Sequence, residues 1–408
     1  MGNIRFEALK SDLSHKSVDF GYMQIADRIQ QISASQSLVM AARAGEMKAA
    51  GIDVISMSLG EPDMDTPVHI RKAAQKAISD GWSHYGAVPG IASLRAAIAK
   101  QQNGIAGNQI AWEANDVMVS VGAKMAIYNA IQTAINPDDE VIIPMPSWVS
   151  YSEMVKLAQG KVVAVHTKYE DNYCITSEQL CTALSEKTRM LILCSPNNPT
   201  GAIYNREKLE AIVAVLRDYP NVIVLSDEIY ASLSYDVTPL TLAAFEPLSN
   251  RLIIVNGVSK AYAMTGYRIG WLLTKNRPFL NACIRLQGQQ LTCPTMVAQK
   301  AAEAALTGSQ TCMEEMREVF AQRRELICRL AADIPGWKFN KPQGAFYLFP
   351  DVSAIGSGDV VAEMLLEKAH VAVVSGSAFG CPECIRLSYA ISTEEIEEAM
   401  RRIKNVFM

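Results

Sequence analysis

R-L-I-I-V-N-G-V-S-K, residues 251–260, is an apolar run that ends on a lysine. It continues as A-Y-A-M-T-G-Y-R-I-G-W over 261–271, so Arg268 follows Lys260 within about two helical turns. A run that is nearly all apolar, rather than alternating, is how a strand covered on both faces reads. A lysine at the exit of such a strand is a costly choice. An ammonium in an apolar setting costs several kcal/mol unless it is paired or neutralised. Two readings stand side by side: the side chain snorkels to water, or it is neutralised as a Schiff base with a carbonyl partner.

Working outward, the same kind of run recurs at 117–121, 140–145, 161–165, 190–194, 222–226 and 269–274. Helical stretches such as 125–135 and 206–217 separate many of them. Strand–helix alternation predicts an α/β fold, a mostly parallel seven-stranded sheet between helices. The last hundred residues read differently. An amphipathic segment over 310–333, strands at 344–350 and 385–390, and helices at 359–369 and 393–404 predict a small α+β domain. Ser392 and Glu395 form a capping box for the last helix. The expected organisation is an N-terminal arm over 1–55, a large domain over 56–315 and a small domain over 316–408. The arm carries one helical segment around 38–50 and is expected to pack on the small domain or on a second subunit.

Composition bounds the function. At 408 residues the chain is long enough for two domains, and 49% hydrophobic with 20% charged residues is ordinary for a globular protein. A net charge of −4 with no basic cluster argues against a nucleic-acid partner. No run of about 18 apolar residues predicts a membrane span, and the opening residues resemble no signal peptide. Phe6 stands where myristoylation wants Ser or Thr. Nine scattered cysteines suggest thiols in a reducing, cytoplasmic compartment. Cys381 and Cys384 form the one C-x-x-C, without a second pair or spaced histidines, so no metal site is expected.

In open parallel sheets, ligands bind beyond the C-terminal ends of the strands. Gly122, Ala123 and Lys124 follow the run 117–121 and open a helix, which offers free N–H groups to a phosphate. Trp148 follows 140–145 and can stack on a flat ring, or pack at a domain edge. Asn198 lies in S-P-N-N-P-T-G (195–201), a turn stiffened by two prolines. Asp227 follows V-I-V-L-S and needs a cationic partner there; the protonated pyridine nitrogen of pyridoxal phosphate (PLP) is one, a helix cap the bland alternative. Tyr230 lies three residues on. Arg268 can clamp a phosphate. Arg386, inside C-I-R-L-S-Y (384–389), needs an anion, either a substrate carboxylate or a structural acid.

With these residues in view, the chain resembles the class I PLP-dependent aminotransferases of fold type I, from about Asp19 to the C-terminus. The resemblance rests on G-E-P-D-M-D-T-P (60–67), Y-G-A-V-P-G (85–90), S-P-N-N-P-T-G (195–201), S-D-E-I-Y (226–230), S-K-A-Y-A-M-T-G-Y-R-I-G (259–270) and I-R-L-S-Y-A (385–390). It is most similar to the Ib subgroup, which includes aspartate/prephenate enzymes. The resemblance implies that Lys260 holds PLP and shuttles a proton, that Asp227 pairs with the pyridine N–H, and that Asn198 and Tyr230 contact the ring oxygen. Trp148 would stack on the ring. Gly122, Ala123 and Arg268 would hold the phosphate, joined by Tyr85 from a neighbouring subunit, which implies a homodimer. Gly60 and Arg386 would bind the substrate α-carboxylate, Lys124 the distal carboxylate of aspartate or glutamate. Ser37 belongs to a segment that helps set side-chain specificity.

Three departures bear on substrate. G-A-V-P follows Tyr85, Gly257 replaces a phosphate-binding hydroxyl, and Ser35-Gln36-Ser37 differs from the usual S-K-T or S-A-T. The expected reaction moves an amino group from an amino acid to a 2-oxo acid in two ping-pong halves. Alternatives are a β-lyase or specialised biosynthetic reaction on the same scaffold, or an aromatic or neutral amino acid as substrate.

Overall fold

A computed structural model describes residues 24–408. Residues 1–23, which include the start of the expected arm, Phe6 and Asp19, lie outside the described residues. In chain order the strands are β1 (Ile55–Ser56), β2 (Val117–Val121), β3 (Glu140–Met145), β4 (Lys161–His166), β5 (Thr188–Cys194) and β6 (Ile223–Asp227). They continue as β7 (Leu252–Gly257), β8 (Ile269–Leu273), β9 (Tyr347–Leu348), β10 (Val371–Ala372), β11 (Val374–Ser375) and β12 (Ile385–Ser388).

The seven apolar runs form one sheet, ordered β2-β8-β7-β6-β5-β3-β4. Its pairs are parallel except those of β8, which runs antiparallel to β2 and β7. The runs lack alternation because both faces are covered. Ile142, Leu191, Val224 and Ile254 enter one hydrophobic cluster, while Val141, Ile143, Leu225 and Ile253 enter another on the opposite face. Each such side chain contributes roughly 1.5–3 kcal/mol on burial.

Three boundaries move relative to the sequence reading, and each bears on the site. Strand β6 ends on Asp227, so this carboxylate belongs to the sheet and not to the loop after it. Strand β7 ends at Gly257, and Lys260 sits in a one-turn helix, Val258–Ala261. The strand expected over 344–350 shrinks to Tyr347–Leu348, because Ala345 takes a left-handed conformation (φ 57) that breaks extended pairing.

The C-terminal elements build a second layer. Strand β12 lies between β11 and β9, antiparallel to both. The helix Thr311–Ala332 packs against β9 and the last helix, and the segment expected as one helix over 359–369 is Gly358–Met364 followed by a π-helical turn, Leu365–Ala369. The last helix, Thr393–Phe407, has the capping box read from sequence: Ser392 Oγ accepts from Glu395 N and Glu395 Oε2 accepts from Ser392 N, both at 3.1 Å. The helix Gln36–Ala49 rests on this layer, with Ala44 and Val54 packed against Leu366 and Ala372. Strand β1 pairs in parallel with β10.

Register brings the strand ends together. Cys194 pairs with Asp227, and Asp227 with Val255, so β5 and β6 finish level and β7 runs two residues further, to Gly257. Because β8 is reversed, it starts where its neighbours end: Val121 pairs with Ile269, and Gly257 with Gly270. Gly122, Asp227, Lys260 and Arg268 therefore meet at one edge.

Candidate active site

A cavity of about 320 Å³ opens at this edge. Lys260 lies inside it, donating from Nζ to the Gly60 carbonyl and lying 6.0 Å from the Phe346 ring centroid. Burial pulls its pKa down to about 8; Glu61 opposes this, while Arg268 and Arg386 add to it. A neutral amine is therefore accessible near physiological pH.

Asp227 faces the same cavity. Burial raises its pKa to about 6, against the hydrogen bonds that favour its charge. Tyr151 donates to Oδ2 at 2.6 Å, and Ile229 N to Oδ1 at 3.2 Å. No described arginine or lysine forms an ion pair with it.

Arg386 projects from β12 and is buried. It donates from Nη1 to Asn198 Oδ1 at 3.0 Å, and from Nη2 to the Ser58 carbonyl at 2.6 Å and to Ser37 Oγ at 3.4 Å. Its guanidinium stacks 4.5 Å from the Tyr347 ring and 4.9 Å from Phe379. Nε has no partner among the described residues. The cation is thus surrounded by neutral groups, and burial lowers its pKa.

At the opposite wall, Gly122 opens the helix Gly122–Ala134 with φ 77. A Cβ there would lie 2.3 Å from Arg268 Nη2, so only glycine permits the approach. Arg268 donates from Nη1 to the Thr265 carbonyl at 2.8 Å. A guanidinium beside unpaired N–H groups at a helix start suits a phosphate. Lys124 Nζ sits 4.8 Å from the Trp148 ring centroid, its pKa lowered by burial and by Arg268. Trp148 in turn meets Tyr151 edge-on at 5.3 Å.

Residues 52–403 match the family model for aminotransferase class I and II. The chain belongs to that family. This aminotransferase is 43% identical over 387 residues to an aspartate aminotransferase of Bacillus sp. strain YM-2, covering 93% of this chain and 98% of the relative. It is 40% identical over 398 residues to an aspartate/prephenate aminotransferase of Nitrosomonas europaea, covering 94% and 100%. Among solved structures, the aspartate aminotransferase of Rhizobium meliloti matches with TM-score 0.90 at 38% identity, over 94% of this chain and 98% of that one. The Thermus thermophilus aspartate aminotransferase with maleate matches with TM-score 0.90 at 36% identity, over 94% and 100%. The fold is therefore fold type I, as the sequence motifs implied.

Of the residues singled out in the aminotransferase sequence, Lys260, Asp227, Tyr230, Ala123, Lys124, Trp148, Asn198, Arg268, Gly60, Arg386 and Ser37 line the one cavity. Gly122 stands directly behind Arg268. Tyr85 does not join them: it is 89% exposed on its own chain. Further residues reach the cavity without having been singled out, among them the polar side chains of Tyr151, Tyr347, Glu61 and Thr265. Tyr151 carried a usable signal, an aromatic three residues after Trp148 at a helix start. Tyr347 carried none, because its place depends on pairing between β9 and β12. Cys381 and Cys384 lie in the turn before β12 with their sulfurs 3.4 Å apart. No described helix is long and apolar enough to cross a membrane.

Proposed function

We propose that this aminotransferase uses PLP to move an amino group between a dicarboxylic amino acid, such as aspartate or glutamate, and a 2-oxo acid. The observation that carries the reading is Arg386, a buried cation that meets only neutral groups and leaves Nε without a partner. Such a group calls for an anion, and a substrate carboxylate supplies one.

The cavity's chemistry fits PLP. Lys260 would hold it covalently. Asp227, buried without a cationic partner, would pair with its ring N–H. Arg268 and the helix start at Gly122 and Ala123 would take its phosphate, and Trp148 would cover its ring. Asn198 and Tyr230 would contact its ring oxygen. When bound, the group supplies an electron-withdrawing ring that acidifies the amino acid's Cα–H.

The chain's own residues do the rest. Arg386 orients the α-carboxylate. Lys260, as a neutral amine, takes the proton from Cα and returns it on the other side of the exchange; such general acid–base work contributes ~10²–10⁴-fold. Tyr151 keeps Asp227 ionised. Lys124 and Ser37 meet the distal end of the substrate. The dicarboxylate preference is supported by Lys124 in the cavity wall and by the names of the relatives.

The same reading assigns 1–55 to an arm, 56–315 to a large domain and 316–408 to a small one. It pairs two chains so that Tyr85, highly exposed on its own chain, reaches the partner's phosphate site. The test is a half-reaction screen. Holoenzyme mixed with aspartate or glutamate converts its cofactor spectrum to that of the amine form; failure with both overturns the dicarboxylate reading.

A further inference from the structure

Residues 57–66 touch the cavity from both sides. At one end, Met57 O accepts from Ser388 N of β12 at 2.8 Å, and the Ser58 carbonyl accepts from Arg386. Two residues later the Gly60 carbonyl accepts from Lys260. Glu61 then accepts from Thr265 Oγ1, and Thr66 Oγ1 donates to the Ala263 carbonyl at 2.6 Å. One short stretch of backbone thus spans the gap between Arg386 and Lys260. Tyr347 crowds it from behind: a Cβ on Gly60 would lie 2.3 Å from the Tyr347 hydroxyl.

This stretch has little regular structure of its own; only Ile55–Ser56, before it, is strand. Its firmest side-chain anchor is Asp63. Both carboxylate oxygens accept from Arg323, at 2.6 and 2.8 Å, in a bidentate fork. Arg323 projects from the helix Thr311–Ala332 and is buried. Its Nε has no partner among the described residues, and both of its Nη groups donate to Asp63. The guanidinium lies 5.6 Å from the Phe320 ring, and Phe320 stacks on Phe346 at 5.2 Å. Phe346 is the ring beside Lys260. The long helix is therefore fixed to the same aromatic wall that the lysine meets.

We propose that Asp63 and Arg323 are a positioning pair that sets the 58–61 backbone between Lys260 and Arg386, and so sets substrate carboxylate affinity from outside the cavity. Neither residue lines the cavity. The consequence for substrate rests on the proposed role of Arg386. With the fork broken, the Ser58 and Gly60 carbonyls lose their fixed spacing, and Arg386 loses its orientation. Misplacement of this kind costs about 10- to 100-fold.

The experiment uses PLP-loaded Asp63→Asn, Arg323→Lys and the double variant Asp63→Asn/Arg323→Gln, with maleate as the equilibrium probe. The expected result for Asp63→Asn is a maleate Kd raised about tenfold or more, a KM for the amino acid raised in step, and kcat within about threefold. The absorption of the bound cofactor stays that of the unaltered protein, which a general loosening of the fold would not allow. Arg323→Lys keeps the charge without the fork and gives an intermediate shift. The double variant shifts no further than Asp63→Asn alone, because both remove one interaction. Unchanged maleate affinity in Asp63→Asn, or additive shifts in the double variant, overturns the pair. If the unaltered protein itself fails to transaminate, the proposed function falls; if it transaminates and Asp63→Asn matches it, only this inference falls.

Discussion

Tyr151 donates a 2.6 Å hydrogen bond to Asp227 Oδ2, the one side-chain donor to this buried carboxylate among the described residues. Burial pushes the Asp227 pKa up to about 6, and this bond works against the rise. Asp227 must be ionised to pair with a ring N–H. Removing the donor raises its pKa further, and protonation then sets in at higher pH. Tyr151→Phe is expected to weaken PLP affinity about tenfold, the loss growing as pH falls below about 7. Titration of cofactor into the stripped protein at several pH values checks this. A pH-independent affinity equal to that of the unaltered protein contradicts it.

In the proposed reading, Lys124 binds the distal carboxylate. Its ammonium lies over the Trp148 ring and faces the cavity. Lys124→Ala is expected to raise KM for aspartate and glutamate by about 10- to 100-fold, the value of one charge-assisted hydrogen bond. A neutral amino acid should lose little. Half-reaction rates with a dicarboxylic and a neutral amino acid give the comparison directly, and equal losses for both count against the assignment.

Glu228 gives a test that needs no substrate. It is buried, accepts from Ser226 Oγ at 3.0 Å and Thr241 Oγ1 at 2.8 Å, and has its pKa raised by burial to about 7 from 4.5. Below pH 4.5 the group is protonated in both folded and unfolded chains and contributes nothing. As pH rises from 4.5 to 7 the unfolded chain releases the proton first, so stability falls; above 7 the full penalty stands. Glu228→Gln removes that penalty and is expected to stabilise the protein at pH 8 by about 1–3 kcal/mol relative to its effect at pH 4.5. Denaturant midpoints at the two pH values measure it; no pH dependence of the difference contradicts it.

Much of this was legible in the sequence, for a physical reason. A sheet covered on both faces writes its strands as unbroken apolar runs, so the ends of β2 to β8 fall within three residues of those runs. Residues just past those runs lie at the ligand-binding edge, as Asp227 and Lys260 do, and Arg268, just before β8, joins them because that strand is reversed. Tyr347 and Asp63 were not found. Their places depend on contacts with β12 and with Arg323, far along the chain; Asp63 stands inside the motif 60–67, but the motif does not show its partner. The segment 344–350 reads as a strand by composition, but Ala345 turns left-handed and leaves two residues paired. Tyr85 has the motif but is 89% exposed on its own chain, and the role proposed for it depends on a second chain.

The central claim is that Lys260, a buried amine with a pKa lowered to about 8, holds the cofactor and moves the proton. The most direct measurement is the absorption spectrum and turnover of PLP-loaded Lys260→Ala. The expected result is loss of the lysine-linked cofactor band and turnover reduced by at least about 10²-fold. A variant that keeps both the band and normal transamination would contradict the account.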